Sequence, residues 1–181
     1  MVYIGRLVEE KAADLLPQAI YDAIYQADNK MNFLILGSGD TRVEAQLEAL
    51  KSSLVGYYNT QIGYNEKLAH QMYAGADFIL MPSRVEPCGL NQMYAMRYGT
   101  VPVVRSIGGL KDTVIDFGEP GGFGITFNQA SVWDIVYSIH RAETLFTDTA
   151  KMKAITKQMM EIDHSWESSA EKYINLYASI Q

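Results

Sequence analysis

The chain has a single cysteine, Cys88, so no internal disulfide can form and a reducing, cytoplasmic setting is expected. It lacks a charged and then apolar leader ending in a small-residue cleavage site, which points the same way. Its longest apolar runs, such as Phe33 to Leu36 and Phe78 to Pro82, stop far short of the roughly twenty residues a membrane helix needs. No membrane partner is therefore expected. Positive charge is also scarce, with 15 Lys and Arg against 21 Asp and Glu and a net charge of −6. Sequence-independent nucleic-acid binding needs a clustered excess of cations, so that partner is disfavoured. A few cations in one cleft can still hold a small diphosphate. The three histidines, His70, His140 and His164, have no metal spacing with a thiol or carboxylate, so neither a metal nor a cofactor is expected.

With 181 residues, 48% of them hydrophobic, the chain can bury one core and reads as one domain. Short apolar runs alternate with longer segments of helical period, which predicts an α/β fold with a parallel sheet of about six strands flanked by helices. The expected strands are Val2 to Gly5, Asn32 to Leu36, Val55 to Ile62, Phe78 to Met81, Val101 to Val104 and Gly124 to Thr126. All but the third are apolar on successive residues, as strands buried on both faces are. Helical patterns cover Ala12 to Ala27 with a restart at Pro17, Arg42 to Leu50, Glu66 to Tyr73, Leu90 to Tyr98 and a brief turn after Gly109. Three more, Ser131 to Leu145, Asp148 to Ile162 and Ser165 to Ile180, close the chain, with Ser131 and Ser165 as N-caps. The loop Phe117 to Gly124, FGEPGGFG, reads as a glycine-supported turn or a substrate-side loop.

Open parallel sheets bind ligands beyond the carboxyl ends of their strands, and four such places carry polar chemistry. In GRLVEEK, Gly5 to Lys11, the cations Arg6 and Lys11 can converge on one phosphate or remain solvated. In GSGD, Gly37 to Asp40, the turn can admit a phosphate, or Asp40 can cap the next helix. In QIGYNE, Gln61 to Glu66, Gly63 and Tyr64 sit before a helix capped by Asn65. Tyr64 can stack on a nucleobase or simply pack.

The fourth place, PSRVEPCGLNQMYAMRYG from Pro82 to Gly99, says most. A loop bearing Ser83, Arg84, Glu86 and Cys88 runs into a helix opened by Gly89. The amides of Gly89, Leu90 and Asn91 would offer an anion site. Glu86 can accept hydrogen bonds from sugar hydroxyls. Cys88 reads as a small residue packing beside a ligand rather than as a nucleophile, because no histidine sits at a comparable turn.

The stretch ADFILMPSRVEPCGLNQMYAMRYGTVPVVRSIGGLKDTV, Ala76 to Val114, resembles the signature region of bacterial glycogen synthases and plant starch synthases. GRLVEEK and IGYNEKLAHQMYAGAD flank it in the same order. The resemblance implies the C-terminal, Rossmann-like half of a GT-B glycosyltransferase spanning residues 1–181, its final helices over about 131–181. It implies that Arg6 and Lys11 bind the diphosphate leaving group, that Glu86 holds the transferred glucose with Cys88 beside it, and that the amides of Gly89, Leu90 and Asn91 complete the phosphate cradle. Tyr64, next to Gly63, would pack on adenine. The implied reaction is retaining transfer of glucose from ADP-glucose to the non-reducing end of an α-1,4-glucan.

Two departures accompany the resemblance. Tyr94 stands where related transferases outside the glycogen and starch synthases carry a second glutamate on the ribose. The N-terminal acceptor domain of such synthases, with its Lys-x-Gly-Gly-Leu motif and catalytic histidine, is absent from these 181 residues. The expectation is a chain that binds ADP or ADP-glucose but is inactive alone and meets its glucan through the missing domain. A stand-alone nucleotide-sugar-binding or regulatory module, or a UDP-glucose-using relative, are the alternatives.

Overall fold

A computed structural model describes residues 1–26 and 31–180. Ala27, the expected end of the first helix, and Gln181 lie outside the described residues. Strands β1 (Val2–Ile4), β2 (Phe33–Gly37), β3 (Tyr58–Ile62), β4 (Phe78–Met81), β5 (Val101–Arg105) and β6 (Ile125–Phe127) form one parallel sheet in the order β3-β2-β1-β4-β5-β6. The strand order reverses between β1 and β4, the switch point where open parallel sheets form a ligand crevice.

Helices α1 (Leu16–Gln26), α2 (Thr41–Ser53), α3 (Glu66–Gly75), α4 (Asn91–Tyr98), α5 (Gly108–Thr113), α6 (Val132–Thr147), α7 (Thr149–Met160) and α8 (Trp166–Ser179) complete the described chain. Alternate strand residues feed two cores, as the period of two requires. Ile35, Leu80 and Val103 meet Leu16, Ile20 and Ile24 of α1, Leu47 of α2 and Ile135 of α6 in one core. Leu36, Ile79 and Val104 meet Met72 of α3, Ala95 of α4 and Leu110 of α5 in the other. Leu16, Ile20 and Ile24 are wholly buried, each contributing about 1.5–3 kcal/mol. β3 and β6 lie at the two sheet edges, and their alternating burial matches their alternating sequences.

Asp40, Asn65, Ser131, Asp148 and Ser165 each accept a backbone N–H at the start of α2, α3, α6, α7 and α8. Asp40 is therefore a cap. The Phe117–Gly124 segment is a built turn, because Asp116 accepts from the Gly118 and Thr126 amides at 2.9 and 2.8 Å and from Arg141 at 2.6 Å.

Several boundaries differ from the sequence reading. β3 starts at Tyr58, not Val55, because Leu54 to Tyr57 form a turn with Val55 exposed and Gly56 at φ 87°. α4 starts at Asn91 instead of Leu90, because Leu90 at φ −120° and ψ −31° is its N-cap residue. Residues 12–15 stand outside the first helix. Glu9–Lys11 and Ala13–Leu15 are separate 3-10 turns joined by Ala12 at φ 54°, and α1 begins at Leu16 with Pro17 in its first turn. α8 differs in another way, having no buried residue. No helix among the described residues is long and apolar enough to cross a membrane.

Candidate functional site

The crevice between β1 and β4 holds a cavity of about 330 Å³ whose lining includes Arg6, Lys11, Ser83, Glu86, Leu90 and Asn91. Tyr3, Gly5 and Gly89 also face it. Two loops that are distant in sequence therefore meet where the strand order reverses. Arg6 and Asn91 also border a second cavity of about 260 Å³, reaching Gly63 and Tyr64 at the start of α3. The two cavities read as one crevice with a polar end at Glu86 and an aromatic end at Tyr64. Tyr64 is 87% exposed, so it is not packing in the core.

Glu86 is the carboxylate of the first cavity, and it is almost fully buried. Its Oε2 accepts from Lys11 Nζ at 2.6 Å and from Ser83 Oγ at 2.9 Å. Its Oε1 has no partner among the described residues, which leaves one acceptor for a hydroxyl in the cavity. The amides of Gly89, Leu90 and Asn91 donate to nothing among the described residues. They sit where the partial positive charge of α4 is concentrated, so an anion at the cavity mouth meets fixed donors. Arg6 is mostly exposed and holds Glu10 at 3.4 Å, a weak contact from which it can swing.

The backbone around these groups is fastened from three sides. Arg84 grips Asp14 through two hydrogen bonds, at 2.5 and 2.9 Å, and donates to the Glu9 carbonyl at 2.7 Å. The amides of Arg84 and Val85 both donate to the Glu10 carbonyl. The guanidinium holds the Asp14 carboxyl below the usual carboxylate range, and Arg84 is itself pushed up by that bond. Together these bonds press the Lys11 turn against the Glu86 loop, and they explain why the segment follows 3-10 turns instead of joining α1. Ala12, next to Lys11, is the one non-glycine at positive φ among the described residues, a local strain of the kind kept at working sites.

Arg105, at the end of β5, donates to the carbonyls of Ser83 and Arg84 at 3.3 and 3.0 Å. The turn at Gly108 and Gly109 lies directly behind the loop. A Cβ on Gly109 would press on the Cys88 carbonyl, and one on Gly108 on the Glu86 carbonyl. Gly109 N–H donates to that Glu86 carbonyl at 3.1 Å. On the β1 side, Asn91 Nδ2 donates to the Ile4 carbonyl at 2.7 Å and ties α4 to the strand. Buried Tyr3 donates its hydroxyl to the Arg6 carbonyl at 2.7 Å. Burial, reinforced by Glu86, pushes the Tyr3 phenol up, so it remains a neutral donor.

The structure thus brings Arg6, Lys11, Glu86, Gly89, Leu90 and Asn91 to one cavity and Gly63 and Tyr64 to its neighbour. Cys88 is exposed and lines neither. Sequence reasoning did not single out Ser83, Asp14 or Arg105 as site residues. Ser83 had a local signal in its place three residues before Glu86. Asp14 and Arg84, 70 positions apart, had none. A larger cavity of about 830 Å³ opens between α4, α7 and α8, but it is lined mainly by Met93, Tyr94, Met96, Met159 and Trp166 and shares just Leu90 with the first. Arg97, His164 and Lys172 line it as well, beside Glu161 and Asp163. Among the described residues no three His, Cys, Asp or Glu side chains are placed to hold a metal.

Residues 1–142 match the family model for glycosyl transferases group 1. The glycogen synthase of Flavobacterium johnsoniae is 57% identical over 175 residues, covering 97% of this chain and 37% of that protein. The glycogen synthase of Thioalkalivibrio sulfidiphilus is 42% identical, covering 98% of this chain and 38% of its own length. The chain therefore spans well under half of the curated relatives it matches. Among solved structures, the catalytic domain of starch synthase IV from Arabidopsis thaliana, bound to ADP and acarbose, superposes with a TM-score of 0.83 at 33% identity. That match covers 98% of this chain and 38% of the plant one. The parallel six-stranded sheet is the C-terminal Rossmann-like domain of the GT-B architecture. With residues 1–142 matched by the family model, this chain belongs to the group 1 glycosyl transferases.

Proposed function

We propose that this chain is the donor-binding half of a glycogen synthase that transfers glucose from ADP-glucose, with retention, to the non-reducing end of an α-1,4-glucan. The observation that carries the reading is the convergence of Lys11, Arg6, Glu86 and three unused amides on one cavity at the strand-order switch. Lys11, Arg6 and the α4 amides take the diphosphate, whose charge grows as the glycosidic bond to glucose breaks. Their attraction strengthens along the reaction, which is the differential binding that lowers a barrier. Glu86 Oε1 accepts a sugar hydroxyl, and Tyr64 stacks on the base at the far end of the crevice. Adenine as the base is supported by the ADP in the 33%-identical starch synthase domain.

The acceptor glucan and the remaining catalytic groups belong, in this reading, to the part of the enzyme beyond these residues. Two observations support that division. The chain covers 37% of its Flavobacterium relative, and α8 carries Tyr173, Ile174, Leu176 and Tyr177 more than half exposed. Isothermal titration calorimetry with ADP tests the reading. Binding is expected with ADP favoured over UDP, and Lys11→Ala should weaken it about tenfold to a hundredfold, the worth of a charge-assisted bond. Absence of heat with ADP at millimolar concentration, from folded protein, overturns it.

A further inference from the structure

On the outer face of α1 and α6, away from the donor crevice, a groove of about 460 Å³ is lined by Asp22 and Gln26 of α1 and by Trp133, Tyr137 and His140 of α6. It shares no lining residue with either donor cavity. Trp133 and Tyr137, one helical turn apart, hold their rings parallel to within 1° with centroids 5.4 Å apart. Trp133 is 71% exposed and Tyr137 54%. Exposing so much aromatic surface costs solvation free energy, and such a patch marks a recognition surface.

The groove's polar lining narrows the ligand. His140 Nε2 and Gln26 Oε1 lie 3.0 Å apart and fix one another, and Asp22 accepts from Gln18 at 2.7 Å. No lysine or arginine lines the groove among the described residues. A nucleotide or an anionic lipid surface would need cations there. The two rings stack on each other and so fix the pair's exposed outer face; what fits that face beside a carboxylate, an amide and an imidazole is a neutral ring with an apolar C–H face and a rim of hydroxyls. That is a pyranose.

We infer that the Trp133–Tyr137 groove is a surface site for α-glucan chains, separate from the donor crevice. The inference rests on the glucan-elongating reading above for the identity of the polymer. Its effect is to tether the protein to its own product, raising the local concentration of chain ends.

The test is native electrophoresis of the 181-residue chain in gels containing glycogen, with ADP calorimetry on the same sample. Wild type should be retarded, and Trp133→Ala and Tyr137→Ala should each weaken the glycogen interaction about tenfold, the loss of one well-packed aromatic anchor. Trp133→Phe should keep part of it, and ADP binding should be unchanged in all three. The chain has two tryptophans, so Trp166→Phe leaves Trp133 as the sole indole, and maltoheptaose should shift its emission saturably. Because this readout leaves the groove intact, it decides the matter even if Trp133→Ala fails to fold. No retardation and no emission shift, or retardation indifferent to both alanine variants, overturns the inference. So does self-association through this face that disappears in Trp133→Ala while glycogen has no effect. If ADP fails to bind but Trp133-dependent retardation persists, the donor reading falls and the glucan site stands.

Discussion

Lys11 and Glu86, 75 positions apart, meet at 2.6 Å across the mouth of the donor cavity. Each is the other's partner, and in the proposed function each serves a different part of the ligand. A diphosphate arriving at Lys11 competes with Glu86, and a carboxylate beside it repels the incoming charge. Glu86→Gln removes that repulsion and keeps the shape. ADP binding should tighten by up to about tenfold, roughly 1.4 kcal/mol. ADP-glucose should lose its advantage over ADP, because the amide is a poorer acceptor for the sugar hydroxyl. Calorimetry with both ligands checks the opposite signs, and equal loss of both would refute the division of labour.

The Gly108–Gly109 turn makes a second prediction. It supports the Glu86–Cys88 loop from behind at backbone-to-backbone contact, so Gly109→Ala must displace either the turn or the loop. Stability should fall by about 1–3 kcal/mol, the usual cost of overpacking. ADP affinity should fall with it, since the displaced loop carries Glu86 and leads into the α4 amides. Alanine at Gly75, where an added Cβ meets nothing within 4 Å, is the control. Urea denaturation of the two variants, followed by ADP titration, separates them.

Much of this architecture was legible in the residues. Successive apolar positions marked β1, β2, β4 and β5 because each is buried on both faces, and the capping residues Ser131 and Ser165 sat one position before their helices. The polar residues just beyond β1 and β4 were legible as neighbours in one cavity because strand ends converge where the strand order reverses. What was not legible is what holds them. The Asp14–Arg84 clamp, the Arg105 bonds to the Ser83 and Arg84 carbonyls and the contact of Gly109 with Cys88 all join segments far apart in the chain. None has a local period or motif. The 3-10 path of residues 9–15 was missed for the same reason: its helical pattern is overridden by bonds from Arg84 and Val85.

Asp116 gives a pH prediction. Burial alone would push its carboxyl up. Hydrogen bonds from Arg141 and from the Thr126 and Gly118 amides outweigh burial, and its pKa lies below the ordinary value. A carboxyl depressed on folding adds stability above its unfolded pKa, near 3.9, and loses it as pH falls through the folded value. Asp116→Asn should therefore cost about 1–3 kcal/mol at neutral pH, from a largely buried, charged hydrogen-bond hub. The gap between wild type and variant should close as pH drops below about 4. Denaturant unfolding at a series of pH values measures it. A gap that is constant with pH would mean the loss is one of shape and not of charge.

Substitution of Tyr64 tests base recognition apart from phosphate recognition. Its ring is 87% exposed and stands at the far end of the crevice from Glu86, beside Gly63 and Asn65. Because it packs on almost nothing, Tyr64→Ala should leave thermal stability within about 0.5 kcal/mol of wild type. If the ring stacks on the base, the same change should weaken ADP about tenfold, in line with the roughly 1–3 kcal/mol that a base–aromatic stack is worth. Tyr64→Phe keeps the stacking surface and should bind almost as wild type does. Inorganic pyrophosphate, which has no base, should bind all three proteins alike through Lys11 and the α4 amides. A Tyr64→Ala protein that loses pyrophosphate as well as ADP would show that the residue shapes the crevice instead of reading the base.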